Sequence, residues 1–171
     1  MDNQQLISLI VEKAESINFP PFVAIEQIKR ESANFRPDVV YGPFVGGAGE
    51  RGMAQFIPGT WNDWGRGNPY NPSDSMAAWA AYTQYLLNLF DGDLTKVLQA
   101  YNGGPGNVQR QRVSSAAKRY ASEILARAAN NSTDFNYENV LADPQPSSNL
   151  VIWGATGFIL LAGLLAYTGR D

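Results

Sequence analysis

Glu31, in the stretch IKRESANF at residues 28–35, is the side chain of this sequence best placed for proton chemistry. At about 100° per residue, a helix through this stretch sets Glu31 about 20° from Ala24 and about 40° from Phe35, bordering an apolar arc made with Ile25 and Ile28. An ionised carboxyl loses solvation against such walls, so its pKa should rise and it can hold a proton near neutrality. The chemistry on offer is general acid catalysis. The ordinary expectation for a helical glutamate is a solvated surface charge, and it is the apolar border that sets Glu31 apart. Composition narrows the field further: the chain has no histidine and no cysteine. Histidine-activated nucleophiles, thiol chemistry, disulfides, iron–sulfur ligation and most zinc sites are therefore excluded. Carboxylates, hydroxyls and amides remain, and neither a metal nor a cofactor is expected.

The elements that must position these groups read as helices. In 171 residues, 44% apolar and 17% charged, the chain suits one globular domain plus something small. The net charge is −3 and no basic run exceeds two residues, so nucleic acid is not an expected partner. Leu6, Ile7, Ile10, Val11, Ala14 and Ile17 form one stripe at helical spacing, and Pro20 and Pro21 end that helix and open the next. YGPFVGGAGERG, residues 41–52, holds five glycines and a proline and reads as an irregular loop. WGRGNPYNPSD is a second one, leading to a helix capped by Asn71 or Asp74 and running through Met76, Trp79, Ala80, Thr83, Leu86, Leu87 and Phe90. Leu94, Val97, Leu98 and Tyr101 mark another helix, which NGGPG breaks, and a final one covers roughly residues 115–129. No stretch alternates convincingly as a strand, so the fold class is all-α with long glycine-rich loops.

Beyond this domain, placed at residues 1–129, the composition turns polar and rich in helix breakers over 130–149, which reads as a linker. Residues 150–168 then run uncharged, long enough as a helix, at about 28 Å, to cross a hydrocarbon core of about 30 Å. Trp153 and Tyr167 near its ends suit the aromatic belts of a membrane interface. A C-terminal transmembrane helix is the expectation, with a buried core helix as the plainer alternative. The N-terminus shows no signal-peptide pattern.

Four motifs occur in order: KRESANF, GAGERGMAQFIPGTW, LQAYNGGPGNV and RYASEIL. Together, over roughly residues 22–127, they resemble the lytic transglycosylases related to goose-type lysozyme. The resemblance implies a lysozyme-like helical fold acting on peptidoglycan, with Glu31 as the catalytic acid of a Glu-Ser pair and Ser32 beside the substrate. It also implies that Gly52 lets the backbone close on the sugar, that Gln55 hydrogen-bonds it, and that Met53 belongs to the same substrate-binding loop. Tyr101 would orient the acid or substrate, Asn102 would line the cleft, and Tyr120 would face it. A core role for either tyrosine, with Asn102 as a cap, is the plainer alternative. Trp61 or Trp64 is a candidate to stack on a sugar ring.

Ordinary glycosidases pair two carboxylates. Asp38, Glu50 and Asp63 are the loop-placed candidates for a second, and none stands where the family marks a catalytic position. The mechanism that the resemblance implies needs only Glu31: the N-acetylmuramic acid acetamido group assists departure of the leaving sugar, and the 6-hydroxyl closes a 1,6-anhydro ring. A loop acid holding a water would instead make the same scaffold a hydrolytic lysozyme, and a fold that binds glycan without cutting it is a third reading. One departure stands out. Three positions before Gly49 the family has a serine and this chain has Gly46, which leaves the hydroxyl of Ser32 or Tyr101 to substitute.

A small transglycosylase with a tail anchor looks like a virion-associated lysin of a bacteriophage, used to pierce peptidoglycan during genome delivery. The expected partners are peptidoglycan glycan strands, a membrane through the C-terminal helix, and other virion membrane proteins. The expected location is a virion membrane, with action in the host periplasm.

Overall fold

The computed structural model describes residues 1–134. The uncharged stretch 150–168 lies outside the described residues, as does most of the expected linker. Among the described residues no helix is long and apolar enough to cross a membrane.

Eight helices make up the described chain: α1 (Asn3–Glu15), α2 (Pro21–Glu31), α3 (Pro37–Val40), α4 (Pro58–Trp64), α5 (Pro72–Leu89), α6 (Leu94–Gly103), α7 (Pro105–Gln109) and α8 (Ser115–Asp134). The described residues contain no strand, only a single antiparallel bridge between Arg51 and Phe56. Five of the helices open on a proline, whose fixed φ suits a first turn and whose missing N–H has no helical partner to lose there. In α1, Asp2 accepts the Gln5 N–H at 2.8 Å and the Gln5 side chain accepts the Asp2 N–H at 2.9 Å, a reciprocal cap. The apolar stripe of α1 is turned slightly from the expected one. Leu9 is buried with Leu6, Ile10, Val11 and Ala14, while Ile7 and Ile17 are only half-buried. The reason is that α1 packs against two neighbours, α2 and α5, so its buried face is wider than one stripe.

The second helix is the central element. It lies between α1 and α8, and six consecutive residues, Val23 to Ile28, are buried. Two of them are polar. Glu26, 5% exposed, accepts from Lys29 Nζ at 3.0 Å and Asn131 Nδ2 at 2.9 Å. Gln27 accepts the indole N–H of fully buried Trp79 at 3.2 Å, which ties α2 to α5. Asn71 caps α5 by accepting the N–H groups of Ser73 and Asp74. The final helix continues past the expected end at 129 to Asp134, and α3, α4 and α7 fall in stretches that showed no periodicity.

Candidate active site

Glu31 is the last residue of α2. At that end the helix presents unpaired carbonyls, the negative pole of its dipole, which disfavours a carboxylate. The chain leaves the helix in a tight turn, with Ala33, Asn34 and Phe35 all at positive φ (51°, 60° and 61°). Such a run is costly for residues with a Cβ and needs outside support. Ser32 supplies it: its hydroxyl donates to the Ile28 carbonyl at 2.7 Å and accepts the Phe35 N–H at 2.9 Å.

The Glu31 carboxyl is met from α8 by Tyr120, whose hydroxyl donates to Oε1. Tyr120 is 3% exposed, and its ring carries the Arg30 guanidinium 5.0 Å above it, itself ion-paired with Glu123. Burial pushes the Glu31 pKa up, the Tyr120 hydrogen bond and the Arg30 charge pull it down, and the charge of Glu50 pushes it up again; it settles at about 7. Desolvation wins because the protein offers the carboxylate one hydroxyl where water would offer several. Tyr120 and Tyr101 are both pushed well above the usual phenol range, first by burial and then by the Glu31 charge, so both remain hydrogen-bond donors. The Gln27 side-chain nitrogen has no well-formed hydrogen bond, yet it faces the Tyr120 hydroxyl closely enough to ease its ionisation. With Oε1 engaged by Tyr120, Oε2 is the oxygen left to present a proton.

Across from α2 and α8, the loop after α3 supplies backbone groups. Tyr101 of α6 reaches over and donates to the Ala54 carbonyl at 2.7 Å. Its ring packs in a cluster with Phe56 at 5.7 Å and Tyr82 at 5.6 Å. Trp64 extends the cluster, 5.5 Å from Tyr82 and 5.0 Å from exposed Tyr85. Trp61 lies against Phe56 at 6.5 Å. Tyr82 and Tyr85 were not singled out in the sequence. Their one signal was an aromatic pair three apart on a helix, which usually marks core.

The other residues singled out in the sequence take the following places. Ser32 is fully buried, and its hydroxyl is engaged in the turn after α2. Met53 is likewise fully buried in the core. Gly52 (φ 69°) permits a close approach within the chain: a Cβ there would lie 1.9 Å from the Pro69 carbonyl oxygen. What closes on Gly52 here is its own chain. Gln55 (φ 50°) is half-buried and its amide donates to the Gly52 carbonyl at 2.8 Å, which turns one end of the side chain back into the loop. Asn102 is exposed in the last turn of α6. Trp79 is interior, and Tyr70 donates to the Phe44 carbonyl at 2.8 Å. Of the three candidate second acids, Asp38 pairs with Arg36 and Asp63 is exposed on α4; Glu50 alone acts on Glu31. No cluster of three or more acidic side chains able to hold a metal occurs among the described residues.

Two solved structures share this architecture. One is the lytic transglycosylase of Pseudomonas aeruginosa in an inactive Glu-to-Gln mutant form, with a TM-score of 0.60 and 21% identity over 81% of this chain and 25% of that one. The other is the 70 kDa soluble lytic transglycosylase of Escherichia coli, with a TM-score of 0.64 and 21% identity over 78% of this chain and 25% of that one. This chain thus spans about a quarter of either protein, and at that identity the likeness is one of fold. The family model described as the transglycosylase SLT domain matches residues 8–124, more than half of the sequence. The chain belongs to the transglycosylase SLT domain family.

Proposed function

We propose that this domain is a peptidoglycan lytic transglycosylase with Glu31 as its general acid and base. The observation that carries the reading is a glutamate at the end of a buried helix, held by Tyr120 and tuned to a pKa of about 7. Such a group is protonated often enough to give a proton and basic enough to take one back. In the proposed sequence Glu31 Oε2 protonates the glycosidic oxygen between N-acetylmuramic acid and N-acetylglucosamine. The bond from the muramyl C1 breaks with its electron pair going to that oxygen, while the acetamido oxygen bonds to C1. The muramyl 6-hydroxyl then displaces the acetamido oxygen, returns its proton to Glu31, and leaves a 1,6-anhydro ring. No water is consumed, so no second carboxylate has to hold one. The aromatic cluster of Trp64, Tyr82 and Tyr85, partly open to solvent, is a surface on which sugar rings can stack.

The uncharged stretch 150–168 supports membrane attachment, and together with the small domain it supports a role in local wall penetration by a phage virion during genome delivery. Digestion of purified sacculi tests the chemistry. The chain truncated after Ala142 should clear them and release muropeptides lighter by one water at the muramyl end. Reducing muramyl ends would mark a hydrolase instead, and no release would mark a glycan binder. Glu31→Gln should abolish clearing, by at least about 10²-fold, with the fold intact by circular dichroism. Equal clearing by the mutant discards the assignment. Flotation of the full-length chain with liposomes tests the attachment.

A further inference from the structure

A pocket of about 430 Å³ lies beside the acid site, between the C-terminal half of α2 and α8. Its lining includes Glu26, Lys29 and Arg30 of α2, Asn34 of the turn that follows, and Arg127 and Asn131 of α8. Arg30 is the group that joins the two: its guanidinium lies 5.0 Å above the ring of Tyr120, whose hydroxyl holds Glu31.

Glu26 is the unusual group here. The residue is only 5% exposed, yet it borders the pocket. Both of its hydrogen bonds fall on Oε1, from Lys29 Nζ at 3.0 Å and Asn131 Nδ2 at 2.9 Å, so Oε2 has no hydrogen-bond partner among the described residues. A buried carboxylate oxygen without a donor forfeits solvation that nothing replaces. The cations divide in the same way. Lys29 pairs with Glu26 and Arg30 with Glu123, while exposed Arg127 forms no ion pair among the described residues. The pocket therefore offers one open carboxylate oxygen on its floor and one open guanidinium at its rim, and exposed Asn34 adds an amide.

We propose that this pocket binds the free amino-acid head of a wall peptide stem, an ammonium and a carboxylate on one carbon. The ammonium donates to Glu26 Oε2, and the carboxylate accepts from Arg127 with Asn34 as a further donor. This rests on the peptidoglycan reading above and names a part of that substrate beyond the glycan. A plain anion would meet the Glu26 carboxylate and a plain cation would meet three basic side chains, so a group of both signs is the one that satisfies both. The spacing suits a stem. Stems hang from muramic acid, the sugar placed at Glu31, and Arg127 stands seven residues beyond Tyr120 on α8, a rise of about 10 Å. Three residues of extended peptide span about 10 Å as well. In walls whose third stem residue is a diamino diacid, its uncrosslinked end is such a head. Where the third residue is lysine, that end has an ammonium and no carboxylate.

The test is calorimetric titration of the full-length protein in detergent with three tripeptides: L-alanyl-γ-D-glutamyl-meso-diaminopimelate, the same peptide amidated at the distal carboxyl, and the counterpart ending in lysine. The first should bind at least about tenfold more tightly than either of the others. Arg127→Ala, at an exposed position, should weaken its binding about tenfold. Glu26→Gln keeps an acceptor but removes the charge, and should weaken it by a similar factor. Equal binding of the three peptides, no binding of the first, or an Arg127→Ala protein that binds it like the parent overturns the proposal. Should Glu26→Gln fail to fold, the peptide series and Arg127→Ala still decide. Sacculus digestion is scored separately. If the parent binds with this selectivity but cleaves nothing, the glycan-cleaving reading falls and the pocket stands, whereas cleavage without selective binding sinks the pocket alone.

Discussion

The acid site has two walls of different construction. One is helical: Glu31 ends α2, Tyr120 comes from the second turn of α8, and Gln27 links them to the Trp79 core. The other is the loop from Gly46 to Phe56, where the Ala54 carbonyl accepts from Tyr101 and the Glu50 carboxyl, which accepts the Ala48 N–H, lies over Gly46. The helical wall presents side chains whose directions are set by packing on α1, α5 and α8. The loop wall presents backbone, and its shape depends on residues that tolerate positive φ, with Gly49 at 89°, Gly52 at 69° and Gln55 at 50°. A helix fixes a side chain through neighbours three and four residues away, whereas a loop has to be closed by hydrogen bonds made one at a time. Mutations on the first wall should therefore change the chemistry, and mutations on the second should change whether the wall exists.

Glu31→Gln is the strongest break of the helical wall, and it has a second readout. The folded chain keeps the Glu31 proton up to about pH 7, whereas the unfolded chain releases it near 4.5. Between those values the unfolded state binds fewer protons than the folded one, so stability falls as pH rises and levels off above about 7. The loss is at most about 3 kcal/mol. Glutamine cannot ionise, so the mutant should lose this slope and be the more stable protein above pH 7, as measured by urea unfolding at pH 5 and pH 8. Equal slopes in the two proteins would show that Glu31 does not titrate as described.

Gly52→Ala is the matching break of the loop wall. Its Cβ overlaps the Pro69 carbonyl at a φ that favours glycine, and the carbonyl is not a flexible side-chain end that can swing away. A cost of about 2 to 4 kcal/mol in unfolding free energy is expected, with activity falling because the loop moves. A mutant as stable as the parent would mean that the Pro69 chain can retreat.

Tyr120→Phe sharpens the contrast. It removes one hydroxyl and leaves the packing, so turnover should fall about tenfold while the melting temperature changes little. The Tyr120 bond holds the Glu31 pKa down, so its loss should move the alkaline limb of activity upward. A downward shift would contradict the assigned donor.

Ser32→Ala should have the smallest effect on chemistry. It strips two hydrogen bonds from the turn after α2 and should cost about 1 to 3 kcal/mol of stability, with kcat per folded molecule nearly unchanged. A large loss of kcat at full stability would restore Ser32 to the substrate side.

Much of the helical wall was legible in advance. The spacing of Ala24, Ile25 and Ile28 before Glu31 is a property of the helix itself, and any fold that buried that arc would bring the carboxyl to its edge; Phe35, expected on the same helix, instead follows a left-handed turn, because α2 ends at Glu31. Periodicity also marked α1, α5, α6 and α8. It could not mark α3, α4 or α7, which run four to seven residues and complete fewer than two turns. Their signal was the opening proline alone.

The amino-acid sequence by itself determined the helical fold class, the acid on the edge of an apolar arc, and the want of histidine and thiol chemistry. Tertiary structure decided who touches that acid. Tyr120 lies 89 residues from Glu31 along the chain, and nothing local to either residue encodes the meeting. It likewise decided that Ser32 and Met53 face inward, that Gly52 serves Pro69, and that Glu50 occupies the place above Gly46. Local spacing sets which way a side chain leaves its own element, but burial and charge depend on what other elements bring, and those come together only when the chain folds.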